Sequence, residues 1–242
     1  QFISGLLFSL PMLDGNSKIY LEGKIESRSY IDLTVNALKT FGIQVSWLDE
    51  RTIDIPGNQK YQARNVSVEG DYSNAAFLEA FNYFGSDIEV NKLNSSSLQG
   101  DKVYIELFKK LNDGSPEIDI SNCIDLGPIL FTFAAMKNGA RFTGTSRLAI
   151  KESNRAEAIK EELSKIGAEI EIDANSVYVR GNSLNYDREV TFSSHNDHRI
   201  AMALSLLSSK MNVVIDGAEA INKSYPEYFK ILEKLGGQIR YE

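Results

Sequence analysis

The sequence predicts an α/β (or α+β) protein with internal pseudo-symmetry, because three of its segments repeat one pattern. Each segment ends an amphipathic helix at a glycine and then continues as a strand. The three copies span residues 35–45, 159–170 and 231–241, and a weaker copy spans 103–111. Glycine is expected directly after the last helical residue because it adopts a left-handed backbone without strain.

A second kind of helix is predicted ahead of each copy, apolar on nearly every side and therefore buried. These helices span residues 2–13, 73–84, 126–136 and 200–207. A short strand follows each of them, at residues 19–23, 88–90, 140–144 and 213–217. The repeating unit, roughly 50–75 residues, is longer than a solenoid repeat. This length favours units packed around a shared centre, with the apolar helices inside and the sheets outside.

The composition excludes several classes of protein. The 242 residues are 43% hydrophobic and 24% charged, an ordinary balance for a globular chain. A net charge of −7 without any basic run argues against nonspecific binding to nucleic acid. The single cysteine, Cys123, cannot form an internal disulfide, which fits a reducing cytoplasm, and we interpret it as a buried structural thiol.

The chain ends and linkers suggest how the protein is organised. Residues 1–13 are apolar but lack leading positive charges and are too short to span a bilayer, so a signal peptide is not expected. The start at Gln1, inside a predicted helix, suggests a fragment. A polar stretch without periodicity at residues 57–65 predicts a boundary near Val68.

Cations stand at several predicted helix starts, where the positive end of the helix dipole disfavours them. Lys151 and Arg155 flank Ser153 and Asn154, either of which can cap the following helix. A bound anion would reverse the unfavourable interaction and use the free N–H groups as well. A solvated loop is the alternative interpretation.

A second such start is Asn-Asp-His-Arg at residues 196–199, where Asn196 or Asp197 is a natural cap. Arg199 at the mouth of a buried helix requires a partner. A carboxylate or phosphate suits its planar guanidinium group, and an internal salt bridge is an equally good explanation.

Two further starts combine capping residues with possible ligand groups. Ser224 and Glu227 are spaced as a capping box, which leaves Lys223 as the candidate for function. In residues 27–30, Ser29 is a candidate cap, together with Asp32, while Ser27 and Tyr30 could donate hydrogen bonds to a ligand. Structural use of both is the commoner outcome.

Asp125 opens the apolar segment 126–136 and could serve simply as a cap. If that helix is buried, the Asp125 carboxylate faces the point where the N-termini of the helices converge. There it would stay ionised beside the cations and could accept a proton. Together with Asp125 and Glu152, the cations at the helix starts predict a cleft that binds a polyanionic small molecule. His195 and His198 have no metal-type spacing, and no glycine-rich phosphate loop is present.

Three motifs, in order and spacing, resemble the signatures of 5-enolpyruvylshikimate-3-phosphate synthases. They are Lys-Glu-Ser-Asn-Arg at 151–155, Asn-Asp-His-Arg-Ile-Ala-Met at 196–202 and Lys-Ser-Tyr-Pro-Glu-Tyr-Phe at 223–229. Segments 27–36, 68–71 and 98–101 are similar to that family as well, and Gln1 resembles the end of its Ser-Ser-Gln motif. The resemblance covers nearly the whole chain.

The resemblance implies a fold and an activity. Members have two domains of repeated βαβαββ units, so residues 1–68 would complete an N-terminal domain and 69–242 would form the C-terminal one. They transfer the enolpyruvyl group of phosphoenolpyruvate to the 5-hydroxyl of shikimate 3-phosphate and release phosphate. No metal or organic cofactor, nucleic acid or membrane is expected as a partner, and the intact enzyme is expected to be a cytoplasmic monomer.

The resemblance also implies a role for each matched residue. Asp125 would take the hydroxyl proton, and Glu152 would handle protonation at the phosphoenolpyruvate methylene. The expected phosphoenolpyruvate ligands are Gln1, Arg155, His198, Arg199 and Lys223. The expected shikimate 3-phosphate ligands are Gln1, Ser27, Tyr30, Asp125 and Lys151.

Departures from the family and rival functions qualify this interpretation. The family's N-terminal half, with a glycine-rich loop and a further phosphate-binding arginine, is absent, so we expect little turnover from these 242 residues alone. Asn154 stands where many members carry Asp. The alternatives are a related transferase acting on UDP-N-acetylglucosamine, a non-catalytic anion-binding module, or one domain of a multi-enzyme fusion; retention of Asp125 and Glu152 disfavours a simple binding module.

Overall fold

The structure is a computed structural model that describes residues 1–241. Its chain forms two compact units. One consists of Gln1–Glu69 with Asn94–Gly100, and the other of Gly70–Leu93 with the chain from Asp101 onward. Among the described residues, none of the helices has the length and apolar character needed to cross a membrane.

The first unit packs two helices on a small antiparallel sheet. Its elements are α1 (Phe2–Ser9, continued by a 3-10 turn at Leu10–Met12), β1 (Ser17–Tyr20), α2 (Arg28–Thr40), β2 (Ser46–Trp47) and β3 (Thr52–Ile55). The strand order is β1-β3-β2. Leu7 of α1 and Leu38 of α2 meet Ile53 and Ile55 of β3 in the core.

Helix α1 differs from its prediction. It is apolar on all sides, but Leu7 is its one buried residue, and Phe2, Leu6 and Phe8 are exposed. The reason is geometric, because α2 is the one helix of this unit available to pack against it.

The second unit alternates helices and short strands. Its helices are α3 (Tyr72–Glu79), α4 (Tyr104–Asp113), α5 (Gly127–Met136), α6 (Arg155–Ser164), α7 (His198–Ser205) and α8 (Tyr228–Lys234). Its strands are β4 (Glu117–Asp119), β5 (Gly139–Thr143), β6 (Ile170–Ile172), β7 (Ser176–Arg180), β8 (Thr191–Ser193) and β9 (Val214–Asp216). Short 3-10 turns lie at Ala80–Phe84, Gly100–Val103, Ile124–Leu126, Ser146–Ile150, Leu206–Ser209 and Ala218–Lys223.

Two sheets organise this unit. Strands β4-β5-β7-β6 form one sheet, in which β4 and β5 are parallel and the other pairs are antiparallel. Strands β8 and β9 form a parallel pair. Parallel pairing is expected where a helix separates the paired strands, as α7 separates β8 from β9.

Helices α5 and α7 form the centre of the second unit, as their apolar sequences predict. All ten residues of α5 are buried, and seven of the eight in α7. Phe133 of α5 stacks on Phe108 of α4 with ring centroids 4.7 Å apart. This packed centre fixes where the two helices begin. Helix α7 begins at His198, a predicted site residue, and the 3-10 turn that leads into α5 contains another, Asp125.

The repeat signals are confirmed at the glycines and wrong at two strands. Gly42, Gly167 and Gly236 each follow a helix with a left-handed backbone, φ between 82° and 105°. Residues 88–90 and the segment after Gly236 are not strands within the described chain. A strand requires a hydrogen-bonding neighbour, and sequence periodicity carries no information about whether one is in reach.

Candidate functional site

Three helices of the second unit begin at charged residues. Asp125 lies in the 3-10 turn that leads into α5, Arg155 is the first residue of α6, and Asp197 caps α7 by accepting the Arg199 N–H at 2.9 Å. The cap of α6 is Asn154, whose side chain accepts the N–H of Glu157. Of the caps offered by the sequence, Asp197 and Asn154 are therefore confirmed.

Arg155 connects three carboxylates although its side chain is only 1% exposed. Its Nε donates to Asp197 at 2.8 Å, its Nη1 to Asp125 at 2.7 Å and its Nη2 to Glu152 at 2.6 Å. Burial lowers the pKa of the Arg155 guanidinium, but the hydrogen bond and charge of Asp197, with the other two carboxylates, raise it overall. Arg155 thus stays charged and fixes the relative positions of all three acids.

Asp125 is surrounded by cations and stays ionised. Burial raises the pKa of its carboxyl, but Arg199, Lys151 and Arg155 outweigh burial and lower the pKa to about 2. Lys151 Nζ is 3.0 Å from Oδ1, and Arg199 Nη2 is 3.5 Å from Oδ2. The side chain is 21% exposed, so it remains accessible to a ligand.

Arg199 has the internal partners that its buried position required. Besides the Asp125 carboxylate, its Nη1 donates to the Ser73 hydroxyl of α3 and to the Asp125 backbone carbonyl. The internal salt bridge offered by the sequence as an explanation of Arg199 is therefore confirmed. The Nη2 group of Arg199 could turn to a bound anion with only a small rearrangement, because its 3.5 Å contact with the Asp125 carboxylate is weak.

Lys223 is more accessible than Lys151, Arg155 or Arg199, with 55% of its side chain exposed. Its ammonium group lies 4.0 Å from the Glu152 carboxylate. It ends the 3-10 turn Ala218–Lys223, and α8 begins only at Tyr228. The predicted capping box of Ser224 and Glu227 is wrong, because α8 has no side-chain cap. The N-cap position of α8 is held by Glu227, and Ser224 instead follows the end of the 3-10 turn.

His198 is buried at the start of α7. Its Nδ1 lies 3.7 Å from an Asp197 oxygen and has no hydrogen-bond partner among residues 1–241. Burial lowers the pKa of this imidazole and Arg199 lowers it further, against a smaller opposite effect of Asp197. A neutral imidazole at the start of α7 can offer one hydrogen bond to a ligand without adding charge.

The remaining predicted ligands lie in the first unit. Gln1 precedes α1 and is exposed, and its carbonyl accepts the Gly5 N–H at 2.9 Å. Ser27 precedes α2 with φ of 53°, and its carbonyl accepts the Tyr30 N–H at 3.0 Å. Ser29 does not cap α2, and Asp32 instead accepts the indole N–H of Trp47, so the predicted cap is wrong.

The structure therefore gathers seven charged groups in the second unit, which we call the ionic cluster. It contains four cations and three carboxylates, which are Lys151, Arg155, Arg199, Lys223, Asp125, Glu152 and Asp197. The excess of one positive charge, beside the N-termini of α5, α6 and α7, favours an anion. Sequence reasoning treated Asp197 only as a cap and missed its pairing with Arg155.

Within the part of the chain that the structure describes, one other group has the composition of a metal site. Glu161, Glu162 and His195 bring ligand atoms within 4.8 Å of one another. Lys165 Nζ already lies 2.6 Å from Glu162, so the carboxylate is paired by a cation of the chain itself.

Comparisons with known proteins identify relatives along nearly the entire chain. Residues 1–114 and 111–232 match the protein family described as "EPSP synthase (3-phosphoshikimate 1-carboxyvinyltransferase)". A 3-phosphoshikimate 1-carboxyvinyltransferase of Clostridium acetobutylicum is 40% identical over 256 residues, covering 99% of this chain and 59% of that protein. One of Brachyspira hyodysenteriae is 37% identical over 260 residues, covering 99% of this chain and 61% of that protein.

Solved structures share the fold. An EPSP synthase of Acinetobacter baumannii matches with a TM-score of 0.80 at 22% identity, covering 96% of this chain and 59% of that one. An enolpyruvyl transferase of Streptomyces tendae matches with a TM-score of 0.69 at 14% identity, covering 98% and 60%. The α/β class and the enolpyruvyl-transferase fold expected from the sequence are confirmed. The chain spans about 59% of the length of the first of these relatives.

Proposed function

Since the chain belongs to the EPSP synthase (3-phosphoshikimate 1-carboxyvinyltransferase) family, we propose that it provides the acid–base groups and part of the anion site of such an enzyme. The reaction transfers the enolpyruvyl group of phosphoenolpyruvate to the 5-hydroxyl of shikimate 3-phosphate and releases phosphate. The observation that carries this proposal is the ionic cluster, in which Asp125 and Glu152 are held by one buried arginine.

Phosphoenolpyruvate would bind at the accessible side of the cluster. Lys223 and Arg199 can turn to an anion with little loss, because their contacts with Glu152 and Asp125 are 4.0 Å and 3.5 Å long. Arg155 is already engaged, so it would contact the anion by exchanging its bond to Asp125 or Glu152. Asp197 is fully buried and would remain its anchor.

The two accessible carboxylates would divide the proton transfers. Asp125 is ionised and would accept the 5-hydroxyl proton, which would then pass to the departing phosphate. Glu152 would take up a proton from solvent once the bound anion draws Arg155 away, deliver it to the phosphoenolpyruvate methylene, and take a proton back from the resulting methyl group as phosphate leaves. The charge of the bound anions offsets the cations around Asp125, which raises its pKa towards a value suited to a base. The released Glu152 would be free to face the methylene once Arg155 turns to the anion.

We assign Gln1, Ser27, Tyr30 and Lys151 to shikimate 3-phosphate, with Gln1 and His198 also close to phosphoenolpyruvate. The residue types support this assignment. An exposed amide, a hydroxyl, a phenol and an ammonium can each donate a hydrogen bond to a phosphate or a sugar-like hydroxyl. We further propose that the enzyme works as a cytoplasmic monomer without metal or organic cofactor.

The test is phosphate release from phosphoenolpyruvate in the presence of shikimate 3-phosphate. We expect little turnover from the 242-residue chain alone, and restored turnover when it is mixed with the N-terminal two fifths of the Clostridium acetobutylicum relative. Asp125→Asn in that mixture should abolish turnover. Turnover with UDP-N-acetylglucosamine in place of shikimate 3-phosphate would contradict the proposed acceptor, and binding of phosphoenolpyruvate without turnover in the mixture would favour a binding module.

A further inference from the structure

The segment between β8 and α7, residues 193–197, has an unusual backbone. His195 and Asn196 are consecutive and both left-handed, with φ of 50° and 53°. This conformation costs about 1–2 kcal/mol for an L-residue, less for asparagine. The hydroxyls of Ser193 and Ser194 accept the N–H groups of His195 and Asn196 at 3.1 and 3.2 Å. Further contacts come from helix α6, outside the segment.

Glu162 of α6 supplies those contacts at the first end of the segment. One oxygen of its fully buried carboxylate accepts the Ser193 N–H at 2.7 Å, and the other lies 2.9 Å from His195 Nε2. Lys165 lies 2.6 Å from the first oxygen. Burial raises the pKa of Glu162, but the hydrogen bonds from Lys165, Ser193 and His195 lower it overall, so the carboxylate stays charged.

Helix α6 also holds the other end of the segment. Arg155, its first residue, binds the Asp197 carboxylate with two hydrogen bonds, and Ser153 adds a third at 3.0 Å. Arg155 and Glu162 are seven residues apart, which places them on one face of the helix about 10 Å from each other. A single helix thus fixes both ends of residues 193–197.

We propose that Glu162 is a positioning residue for the ionic cluster. It locks the left-handed turn at His195 and Asn196, so that Asp197 presents its carboxylate to Arg155 and α7 begins where Arg199 faces Asp125. The inference rests on the proposed function only for its consequence, the affinity for phosphoenolpyruvate. The positioning itself is a property of the chain without ligand.

Removing the Glu162 carboxylate would leave the Ser193 N–H and the His195 ring without their acceptor. The turn would lose its external support, and Asp197 would move away from Arg155. Glutamine can replace most of this function, because its oxygen can accept the Ser193 N–H while its amide donates to the His195 ring. Glu161, the preceding residue, is exposed and provides a matched control.

The experiment is nuclear magnetic resonance of the full 242-residue chain, following hydrogen exchange at the Arg155 Nε–H. We expect Glu162→Ala to accelerate that exchange at least about tenfold, because the bond to Asp197 opens more often. Glu162→Gln should largely restore the slow exchange, and Glu161→Ala should leave it unchanged. A residue that only stabilised the fold would lower the unfolding midpoint without affecting this proton in the folded protein.

A second measurement uses phosphoenolpyruvate as the probe, titrated by calorimetry. Its Kd should rise about tenfold in Glu162→Ala, in the range seen when residues supporting a binding group are removed. If Glu162→Ala does not fold, His195→Asn tests the same contact, since asparagine tolerates the left-handed backbone but cannot reach the carboxylate as the ring does.

The outcomes separate the two proposals. Unchanged Arg155 exchange in a folded Glu162→Ala protein, or in His195→Asn, overturns the positioning role whatever the affinity. Faster exchange in Glu162→Ala supports the positioning role even if the wild-type chain, mixed with the N-terminal part of the Clostridium acetobutylicum relative, does not bind phosphoenolpyruvate. That second result would count against the proposed function alone.

Discussion

Arg155 donates two hydrogen bonds to Asp197, 2.8 Å from Nε to Oδ2 and 3.3 Å from Nη2 to Oδ1, and neither side chain is more than 1% exposed. Such a pair is expensive to break from one side, because the remaining charge is then buried without a partner. In this protein the guanidinium also binds Asp125 and Glu152, so one cation contacts three carboxylates.

Replacing Arg155 with methionine should therefore destabilise the second unit strongly. We expect the free energy of unfolding to fall by at least about 3 kcal/mol, the usual cost of leaving a buried charge unpaired. Urea unfolding followed by circular dichroism measures the loss. Trp47, the single tryptophan, lies in the first unit, so its fluorescence reports that unit separately.

The matched control is Arg180→Met, which removes an arginine whose pair with Glu169 is well exposed. Exposed pairs contribute little, so its unfolding midpoint should stay at the wild-type value. An Arg155→Met protein as stable as this control would refute the role of Arg155 as the organiser of the cluster.

Asp125 predicts a loss of stability in acid. Its pKa is about 2 in the folded chain against 3.8 for the free side chain. Since the folded pKa is the lower one, the stabilisation is present above about pH 4 and is lost as pH falls towards 2. The shift corresponds to about 2 kcal/mol, measured as the unfolding free energy at a series of pH values.

Asp125→Asn should reduce the fall in unfolding free energy between about pH 4 and pH 2, which we call the acid limb, because asparagine cannot titrate. Ile129→Val serves as control, since it loosens the fully buried α5 by about 1 kcal/mol and changes no charge. A limb of equal steepness in Asp125→Asn and Ile129→Val would show that other groups cause the acid loss.

How much of this site the sequence could predict depends on how local each interaction is. The buried helices α5 and α7 and the left-handed glycines 42, 167 and 236 follow from composition within a few residues. The pairing of Arg155 with Asp197 joins positions 42 residues apart, and no local pattern encodes it. Cationic helix starts located the site, but the identity of each partner required the fold.

The wrong predictions have the same origin. Residues 88–90 have strand-like composition but pair with no strand of the described chain. The apolar helix predicted at 2–13 is largely exposed, because few described residues pack against it. The capping box at Ser224 failed because the preceding 3-10 turn ends there, which moves the start of α8 to Tyr228. Each depends on distant or flanking backbone rather than on the residues themselves.

His198 predicts a second pH effect, at higher pH than that of Asp125. Burial, with Arg199, lowers its pKa below 6.5 in the folded chain. The unfolded chain therefore binds a proton that the folded one refuses, so stability should decline as pH falls below about 6.5 towards the lower folded value. His198→Gln should remove this decline without changing the acid limb of Asp125. An unchanged decline in His198→Gln would assign it to another group.

Lys223 offers the clearest test of the anion site, because it is accessible and contributes little to the fold. Its nearest carboxylate, on Glu152, is 4.0 Å away, so Lys223→Ala should leave the unfolding midpoint near the wild-type value. The Kd for phosphoenolpyruvate should rise about tenfold, equivalent to about 1.4 kcal/mol. The difference in Kd should shrink as ionic strength increases, because salt screens an exposed charge.

Lys234→Ala, at an exposed lysine in the last turn of α8, is the matched control. Equal affinity in Lys223→Ala and Lys234→Ala would remove Lys223 from the binding site.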